Sequence, residues 1–309
     1  MKKLIFTGSC AALVTPMHAD GRVNFTALKH LLEVQIEQGS DAVCVCGTTG
    51  EASTLTDQEH LAIIRTAVET VRRRIPVIAG TGSNDTRHAI VMSRQAKALG
   101  ADALLLVTPY YNKTSQDGLI RHFTAIVNEA RLPAILYNVP SRTGVTIHPE
   151  TYAILSREPL IVAAKEASGD LASIARTAAL CGDSLTLYSG NDDQIVPLLS
   201  LGGKGVISVL ANLAPAAVHR MCRLYLDGRV EQSRQMQLNW LEVINALFCD
   251  VNPAPVKAAL NMMGLAAGPC RLPLAPLAAK EAARLRAVLE MHGLLSRADG
   301  PAAHAAGAS

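Results

Sequence analysis

A short apolar run followed by an amphipathic stretch is repeated eight times between residues 11 and 209, and this alternation constrains the fold more than any other feature. The eight runs are Ala11–Pro16, Ala42–Gly47, Pro76–Gly80, Ala103–Pro109, Pro133–Pro140, Leu160–Lys165, Leu185–Gly190 and Gly205–Val209. Strands that alternate with helices pair in parallel, and near-continuous apolar strands are buried on both faces. Eight such units in about 220 residues predict an α/β fold, a closed (β/α)8 TIM barrel, rather than an open doubly wound sheet.

Amphipathic helices are predicted between the runs and after the last of them. The clearest between the runs are Phe25–Gln38, Thr56–Arg73, Thr86–Leu99 and Gln116–Glu129, while Met221–Asp227, Val230–Phe248, Val256–Met263 and Ala278–Leu295 follow the eighth run. We therefore expect a barrel over residues 1–228 and a helical C-terminal region over 229–309. The small, polar end of that region, 298–309, is expected to be frayed.

The charge balance gives no sign of a nucleic-acid or membrane partner. The 29 basic and 26 acidic residues leave a net charge of +3, and the longest run of like charge is Arg72–Arg74. These arginines are expected at the C-terminal end of a helix, where cations are favoured, and not in a nucleic-acid-binding stripe. No apolar run reaches the ~18 residues of a membrane-spanning helix, and Thr7–Ser9 interrupts any secretory signal. We therefore expect a cytoplasmic protein.

Seven cysteines are scattered along the chain, mostly in apolar contexts, which is typical of buried free thiols. Cys44 and Cys46 are expected to share one face of a strand, but no CxxC motif or Cys/His cluster completes a metal site. The chain also lacks a dinucleotide fingerprint, a phosphate-binding loop, a His-Glu-x-x-His motif and a Gly-x-Ser-x-Gly motif. We therefore expect chemistry that needs neither a metal nor another cofactor.

In a (β/α)8 barrel the catalytic groups gather where the strands end and in the loops that follow. That rule reduces the chain to seven candidate segments, Gly47–Glu51, Gly80–Asn84, Thr108–Asn112, Tyr137–Arg142, Lys165–Glu166, Ser189–Asn191 and Ile207–Ser208. Because the strands are parallel, all seven segments meet at one end of the barrel. A substrate is expected to bind there.

Lys165 stands out because it ends an otherwise apolar run, 160–164, where a barrel interior leaves little room for a solvated ammonium. Desolvation favours the neutral amine, which can attack a carbonyl carbon. The alternative is a structural ion pair of Lys165 with a carboxylate such as Glu166 or Glu51. A rival lysine, Lys204, is flanked by glycines and is expected in an exposed turn at the opposite, non-catalytic end of the barrel.

Three tyrosines at strand ends have both a catalytic and a structural interpretation. A phenol such as Tyr137 can relay protons beside a reactive amine, or it can be a core tyrosine with a satisfied hydroxyl. The same two interpretations hold for Tyr110 and Tyr111. Because neighbouring strand residues face opposite sides, at least one of these two must point away from the barrel axis.

Thr48, Thr49 and Arg142 are candidates for binding an anion. The two threonines follow a glycine, so their hydroxyls and backbone N–H groups could hold a carboxylate, or they could form a plain turn. Arg142, expected in a loop, can grip a carboxylate through two hydrogen bonds or make a surface ion pair. The residues alone leave these alternatives open.

Four motifs occur in the order found in one known family. They are Gly47–Glu51 (GTTGE), Val107–Asn112 (VTPYYN), Leu136–Gly144 (LYNVPSRTG) and Ala164–Ala167 (AKEA). With them the chain closely resembles the 4-hydroxy-tetrahydrodipicolinate (dihydrodipicolinate) synthase family, which belongs with the N-acetylneuraminate lyases to the pyruvate-dependent class I aldolases. The likeness runs from about Phe6 to Leu295, and it includes Asn252–Lys257 and Arg271–Pro273 in the helical region.

The resemblance implies a lyase in which Lys165 forms a Schiff base with pyruvate. The derived enamine would attack the aldehyde of L-aspartate 4-semialdehyde, and cyclisation would release 4-hydroxy-tetrahydrodipicolinate for lysine and diaminopimelate biosynthesis. Tyr137, Thr48 and Tyr111 match the family's proton relay, in which the last tyrosine comes from a neighbouring subunit. The implied assembly is a homotetramer, a dimer of dimers.

The resemblance also implies substrate contacts. Thr48 and Thr49 would hold the pyruvate carboxylate, and Arg142 would meet the carboxylate of the semialdehyde. Gly190 and Ile207 would place backbone around the bound substrates. Sibling aldolases for N-acetylneuraminate or keto-sugar acids share the lysine and the tyrosine but resemble this chain less around the arginine, so they stay the alternative. A non-catalytic barrel that senses a keto acid is a third interpretation, which the complete relay opposes.

Some members of the family are inhibited by lysine, which binds between two subunits. The matching positions here are Ala52, Ser53, Asp57, His60, Asn84, His88 and Tyr110. His60, Asn84 and Tyr110 fit the inhibited pattern, whereas Asp57 and His88 stand where inhibited relatives often have His and Glu. Losing the carboxylate at position 88 removes a partner for the ammonium of lysine. We therefore expect weak or absent lysine feedback.

Overall fold

Eight parallel strands close into a barrel in the computed structural model of the chain, which describes Lys2 and residues 4–295. The strands are β1 Gly8–Ala12, β2 Ala42–Val45, β3 Val77–Gly80, β4 Ala103–Val107, β5 Ala134–Asn138, β6 Ile161–Glu166, β7 Thr186–Ser189 and β8 Gly205–Ser208. Each strand pairs with the next along the chain, and β8 pairs back with β1, where Gly205 lies opposite Gly8. The predicted (β/α)8 TIM barrel is confirmed.

Helices surround the barrel and form the C-terminal region. In the described part of the chain they are α1 Phe25–Glu37, α2 Asp57–Val71, α3 Thr86–Ala98, α4 Gln116–Ala130, α5 Pro140–Thr143, α6 Pro149–Leu155, α7 Leu171–Cys181, α8 Ile195–Ser200, α9 Pro215–Leu226, α10 Val230–Asn239, α11 Leu241–Ala246, α12 Ala254–Met262 and α13 Ala279–Met291. The expected division at 228/229 falls in the turn between α9 and α10. The expected fraying of 298–309 lies outside the described residues. Of the helices described, none combines the length and the apolar character needed to cross a membrane.

Several element boundaries differ from those predicted; the helix predicted over Met221–Asp227, for example, is α9 and begins at Pro215. Two of the differences have a clear physical reason. Strand β1 begins at Gly8 rather than Ala11, because Gly8 pairs with Gly205 of β8, and the apolar residues after β1 continue as a buried loop. The helix predicted over 230–248 is two helices, because the regular helical stretch ends at Asn239 and restarts at Leu241, on either side of Trp240. Neither difference disturbs the alternation of strands and helices.

The two ends of α2 show how local sequence fixes a helix beside the strand ends. At the start, the Thr56 hydroxyl accepts the N–H of Glu59 while the Glu59 carboxylate accepts the N–H of Thr56, which is a capping box. At the other end, Arg74 donates from Nε to the carbonyl of Val71 at 3.0 Å. The expected position of Arg72–Arg74 at a helix end is confirmed.

Apolar side chains form two clusters, one between barrel and helices and one inside the barrel. Five of the seven cysteines are buried and two are half-buried, so most are core residues as expected. Cys44 lies inside the barrel, whereas Cys46 belongs to the outer cluster. The prediction that they share a face is wrong, because the φ of 55° at Cys46 breaks the strand alternation. Burial raises the pKa of the Cys44 thiol to about 11, which keeps it protonated.

Two aromatic rings fill the amino-terminal end of the barrel interior. Phe6, which precedes β1, stacks on Tyr188 of β7 with the ring centroids 4.2 Å apart. The Tyr188 hydroxyl donates to the carbonyl of Phe6 at 2.7 Å, and both side chains are buried. The opposite end of the interior, at the carboxyl ends of the strands, carries the polar residues that the sequence marks as candidates.

Candidate active site

Lys165 and Tyr137 lie side by side at the carboxyl ends of β6 and β5, where they are paired in register. Nζ of Lys165 is 4.1 Å from the centroid of the Tyr137 ring, which is a cation–π distance. Both residues are only 6% exposed, so the amine is held at the end of an apolar interior. The structure thus brings together the two residues placed by the sequence at the centre of the chemistry.

The two carboxylates considered as partners of Lys165 are engaged elsewhere. Glu166 faces the opposite side of β6, because successive strand residues alternate, and it is bonded there by neutral side chains. Glu51 accepts a hydrogen bond from Lys257 Nζ at 2.7 Å. Among the described residues, no carboxylate lies within 4.0 Å of the Lys165 amine. The rival Lys204 is exposed in the turn before β8, as expected.

A second cross-strand pair, Asn138 and Glu166, lies behind Tyr137 and Lys165 on the outer face of the sheet. Asn138 Nδ2 donates to Glu166 at 3.1 Å, and the Tyr152 hydroxyl donates to the same carboxylate at 2.6 Å. Burial raises the pKa of the Glu166 carboxyl, against the lowering effect of these hydrogen bonds. These hydrogen bonds connect β5 to β6 one residue beyond Tyr137 and Lys165. They fix the register of the two strands and so keep the phenol beside the amine. Sequence analysis missed this role, although each residue directly follows a candidate.

Gly190 packs directly against the Lys165 side chain. Its N–H donates to the carbonyl of Glu166 at 2.6 Å. A Cβ atom at this position would lie 3.0 Å from Lys165 Cε and 2.8 Å from Ala167 Cβ. Carbon atoms prefer separations of about 3.5–4.0 Å, so any side chain at 190 would displace the lysine. Ile207 of β8 is fully buried in the barrel interior, in the same cluster as Tyr137.

The loop that follows β2, residues 47–51, carries Thr48 and Thr49 to the same end of the barrel. Thr48 is half-buried, whereas Thr49 is 4% exposed and its Oγ1 accepts a hydrogen bond from Asn252 Nδ2 at 3.0 Å. These two partners are 203 residues apart in the chain, so the C-terminal region reaches into the strand-end site. In the sequence, only the family motif over residues 252–257 indicates a role for Asn252, because an asparagine before a proline carries no other functional signal.

A cavity of about 390 Å³ opens beside these residues. Of the predicted site residues, its walls contain Thr48, Ala52, Ser53, Asp57, His60, His88, Tyr110, Tyr137 and Arg142. Those outside its walls are Thr49, Asn84, Tyr111, Lys165, Gly190 and Ile207. Two of the predicted substrate residues, Thr48 and Arg142, therefore share one cavity with most of the regulatory positions. Tyr137 lines this cavity and also contacts Lys165. Within the described residues, no three His, Cys, Asp or Glu side chains are grouped so as to hold a metal ion.

Arg142 lies in α5, a single helical turn, and the prediction that it lies in a loop is wrong. Pro140 begins the turn, because its fixed φ suits the first helical position, and Gly144 ends it with a φ of 68°. Nη2 of Arg142 donates to the carbonyl of Asn252 at 3.4 Å. The side chain also lines the cavity, where its remaining donors can meet a carboxylate.

The two adjacent tyrosines after β4 are placed differently. Tyr110 lines the cavity, whereas Tyr111 is 92% exposed and has a φ of 68°. A left-handed backbone is uncommon for an aromatic residue and directs this ring away from the site of its own chain. A ring exposed to that degree does not touch the buried Lys165. The expected relay is therefore not complete within one chain.

Of the residues predicted as regulatory, all except Asn84 line the cavity. His60 is buried and its Nε2 bonds to the carbonyl of Gly80 at 2.7 Å. Burial lowers the pKa of His60, which favours a neutral ring. His88 Nε2 lies 3.0 Å from Asp57 Oδ1, in an exposed pair between the first turns of α3 and α2. The carbonyl of Asn84 accepts a hydrogen bond from a neighbouring loop.

Comparison with known proteins gives concordant results. The model of the dihydrodipicolinate synthetase family matches residues 5–292 of the chain. The 4-hydroxy-tetrahydrodipicolinate synthase of Thermoanaerobacter sp. (strain X514) is 52% identical over 96% of this chain and 99% of its own length. The solved dihydrodipicolinate synthase from Acinetobacter baumannii, complexed with pyruvate, is 44% identical with a TM-score of 0.92 and covers 94% of this chain and 100% of its own. The solved synthase from Cyanidioschyzon merolae, with lysine bound, is 41% identical with a TM-score of 0.92 and covers 95% of this chain and 100% of its own.

Proposed function

The chain belongs to the dihydrodipicolinate synthetase family, and we propose on this premise that it is a lyase which condenses pyruvate with L-aspartate 4-semialdehyde. The product is 4-hydroxy-tetrahydrodipicolinate, in lysine and diaminopimelate biosynthesis. The observation that carries this function is the Lys165 amine, buried against Tyr137 with no carboxylate partner among the described residues. A desolvated amine of this kind is the nucleophile that a carbonyl substrate requires.

The reaction begins when Nζ of Lys165 adds to the C2 carbonyl of pyruvate, and loss of water leaves an iminium. Loss of a proton from C3 gives an enamine, whose carbon bonds to the aldehyde carbon of the semialdehyde while the aldehyde oxygen takes up a proton. The amino group of the semialdehyde then attacks C2, which closes the ring and releases Lys165 as a free amine. Each proton transfer needs a group within hydrogen-bond reach.

Tyr137, Thr48 and Tyr111 are assigned these proton transfers. Tyr137 contacts the amine and Thr48 lines the cavity beside it, which supports their part in the relay. Tyr111 is 92% exposed, so it is available to enter the site of a second copy. The exposed ring supports an active form with more than one copy of the chain, and the family resemblance implies that this form is a homotetramer, a dimer of dimers. Free thiols at the described cysteines suit a reducing cytoplasm, where we place the enzyme.

The substrates are held by side chains around the amine. Thr48 and Thr49 are assigned the pyruvate carboxylate, because both belong to a loop that can offer hydroxyl and N–H donors. Arg142 is assigned the carboxylate of the semialdehyde, since its guanidinium lines the cavity. Gly190 and Ile207 are assigned backbone contacts around the bound substrates. Gly190 supports this role by leaving the Lys165 side chain unobstructed.

Borohydride reduction in the presence of pyruvate tests the Schiff base. We expect one pyruvate-derived mass, located on Lys165 by peptide mapping, because borohydride converts the iminium into a stable amine. Reduction without pyruvate is the control. Folded protein that gains no mass would contradict every enzymatic interpretation and leave a keto-acid sensor.

A coupled assay then distinguishes the synthase from a sibling aldolase, since both would give the same adduct. We expect pyruvate-dependent consumption of L-aspartate 4-semialdehyde to exceed the cleavage of N-acetylneuraminate and of keto-sugar acids. Faster cleavage of a sugar acid would assign the chain to the sibling class instead.

Weak or absent inhibition by lysine is the expected result of a lysine titration. Position 88, in the first turn of α3, carries a histidine instead of a carboxylate, and this histidine pairs with Asp57. The ammonium of lysine therefore has no anionic partner at this position. The reciprocal variant Asp57→His/His88→Glu is expected to gain sensitivity, with aspartate as the control ligand. Strong inhibition of the unmodified enzyme at sub-millimolar lysine would overturn this expectation.

A further inference from the structure

One ion pair is fully buried beside the site and has no part in the chemistry so far described. Lys257 of α12 and Glu51 of the 47–51 loop have side chains that are 2% and 0% exposed, and Nζ lies 2.7 Å from Oε1. The two residues are 206 positions apart in the chain. The pair therefore joins the C-terminal helical region to the loop that carries Thr48 and Thr49.

Every polar group of this pair is used. Lys257 donates its two other N–H groups to the carbonyls of Thr15 and Pro269, at 3.0 and 2.6 Å. The second carboxylate oxygen of Glu51 accepts the N–H of Arg271 at 2.9 Å. A buried ion pair recovers little net stability, because removing two charges from water is costly. The position in which the pair holds the 47–51 loop explains its presence better than a gain in stability does.

The pair acts on a loop whose backbone is constrained. Glu51 has a φ of 56°, a left-handed conformation that costs free energy for a residue other than glycine. The carbonyl of Gly50 accepts the Thr15 hydroxyl at 2.7 Å, and the Thr49 hydroxyl accepts from Asn252 at 3.0 Å. Residues before α12, within it and after it thus hold the loop from one side.

We propose that Lys257 and Glu51 are positioning residues, which orient Thr48 and Thr49 toward pyruvate bound at Lys165. This inference rests on the proposed function, because pyruvate is the ligand that the loop would hold. Both side chains are completely buried and engaged with each other, so they act through the loop and not on the substrate. The C-terminal helical region is on this view a part of the pyruvate site.

Three variants test the proposal: Lys257→Met, Glu51→Gln and the double variant that combines them. We expect each single variant to lower the melting temperature and to lower kcat/KM for pyruvate by about 10²-fold, the usual effect of a misplaced contact. The double variant leaves no unpaired charge, so its melting temperature is expected to recover while KM for pyruvate stays raised. The rate of borohydride trapping against pyruvate concentration reports the same defect without the second substrate.

Ser233→Ala is the matched control. It removes a buried hydrogen bond from the Ser233 hydroxyl to the carbonyl of Met221 at 2.8 Å, which also joins the C-terminal region to the barrel but touches neither the 47–51 loop nor the residues that hold it. Its pyruvate KM is expected to equal that of the unmodified enzyme. Asn252→Ala removes the bond to Thr49 alone, and we expect a raised KM with little change in melting temperature. This variant carries the test if Lys257→Met does not fold.

A double variant with a recovered melting temperature and an unchanged KM for pyruvate would overturn the proposal, as would an unchanged KM in folded Asn252→Ala and Glu51→Gln. These outcomes differ from a failure of the proposed function. In that case the unmodified protein itself would give no pyruvate adduct.

Discussion

Lys165→Ala is expected to lower kcat/KM by on the order of 10⁴-fold or more, as removal of a covalent nucleophile does in other enzymes. The same variant should gain no mass from pyruvate and borohydride. The reason is geometric, because Lys165 is the amine that the barrel interior holds against Tyr137 at the strand ends. The melting temperature should change little or rise, since the substitution removes a buried amine that has no ion-pair partner among the described residues.

Two further variants make the Lys165 result specific. Lys204→Ala removes an exposed lysine at the opposite end of the barrel and should leave both the rate and the adduct unchanged. Lys165→Arg keeps the approximate length of the side chain but should be inactive, because a guanidinium stays protonated and cannot form the Schiff base. An adduct of normal yield on Lys165→Ala would show that another amine carries the reaction.

Tyr137→Phe is expected to lower kcat by about 10²–10⁴-fold, the usual contribution of a general acid–base group. The variant keeps the ring that faces Lys165 and removes only the hydroxyl, so the position of the amine should be preserved. We therefore expect the pyruvate adduct still to form, more slowly, and condensation with the semialdehyde to be lost almost completely. Stopped borohydride trapping measures the first step, and the coupled assay measures the whole reaction.

Tyr225→Phe is the matched control for this loss of a hydroxyl. Tyr225 is half-buried in α9, outside the barrel, and its variant should keep the full rate. If Tyr137→Phe kept wild-type kcat, the proton relay would have to be assigned without Tyr137, and the residue would count as a packing element of the barrel interior.

The barrel itself could be predicted because its signal is local. Each strand is a short apolar run and each run is followed by a helical pattern, so eight repetitions define both class and closure. Boundaries differ from the prediction where pairing overrides local composition. Gly8 is an unremarkable residue in the sequence and enters β1 only because Gly205 lies opposite it. Cys46 shows the same limit, since its left-handed φ is set by the turn after β2.

The site was predictable to the extent that its residues stand at strand ends. Lys165 and Tyr137 satisfy that rule, and the register of β5 and β6 brings them together. Lys257 and Asn252 lie in the helical region, some two hundred residues from Glu51 and Thr49, and no periodicity relates such distant positions. Tyr111 shows the other limit, because the left-handed backbone that leaves its ring exposed is not encoded in the local sequence pattern.

The ion pair between Lys257 and Glu51 also bears on the order in which the protein is made. A chain is synthesised from its amino terminus, so Glu51 emerges 206 residues before its partner. Contacts of such long range are formed late, because the intervening chain must first be ordered. The loop that carries Thr48 and Thr49 therefore acquires its anchor only after all eight strands of the barrel have been synthesised. A chain that ended before α12 would have the eight strands of the barrel but not the buried pair that anchors this loop.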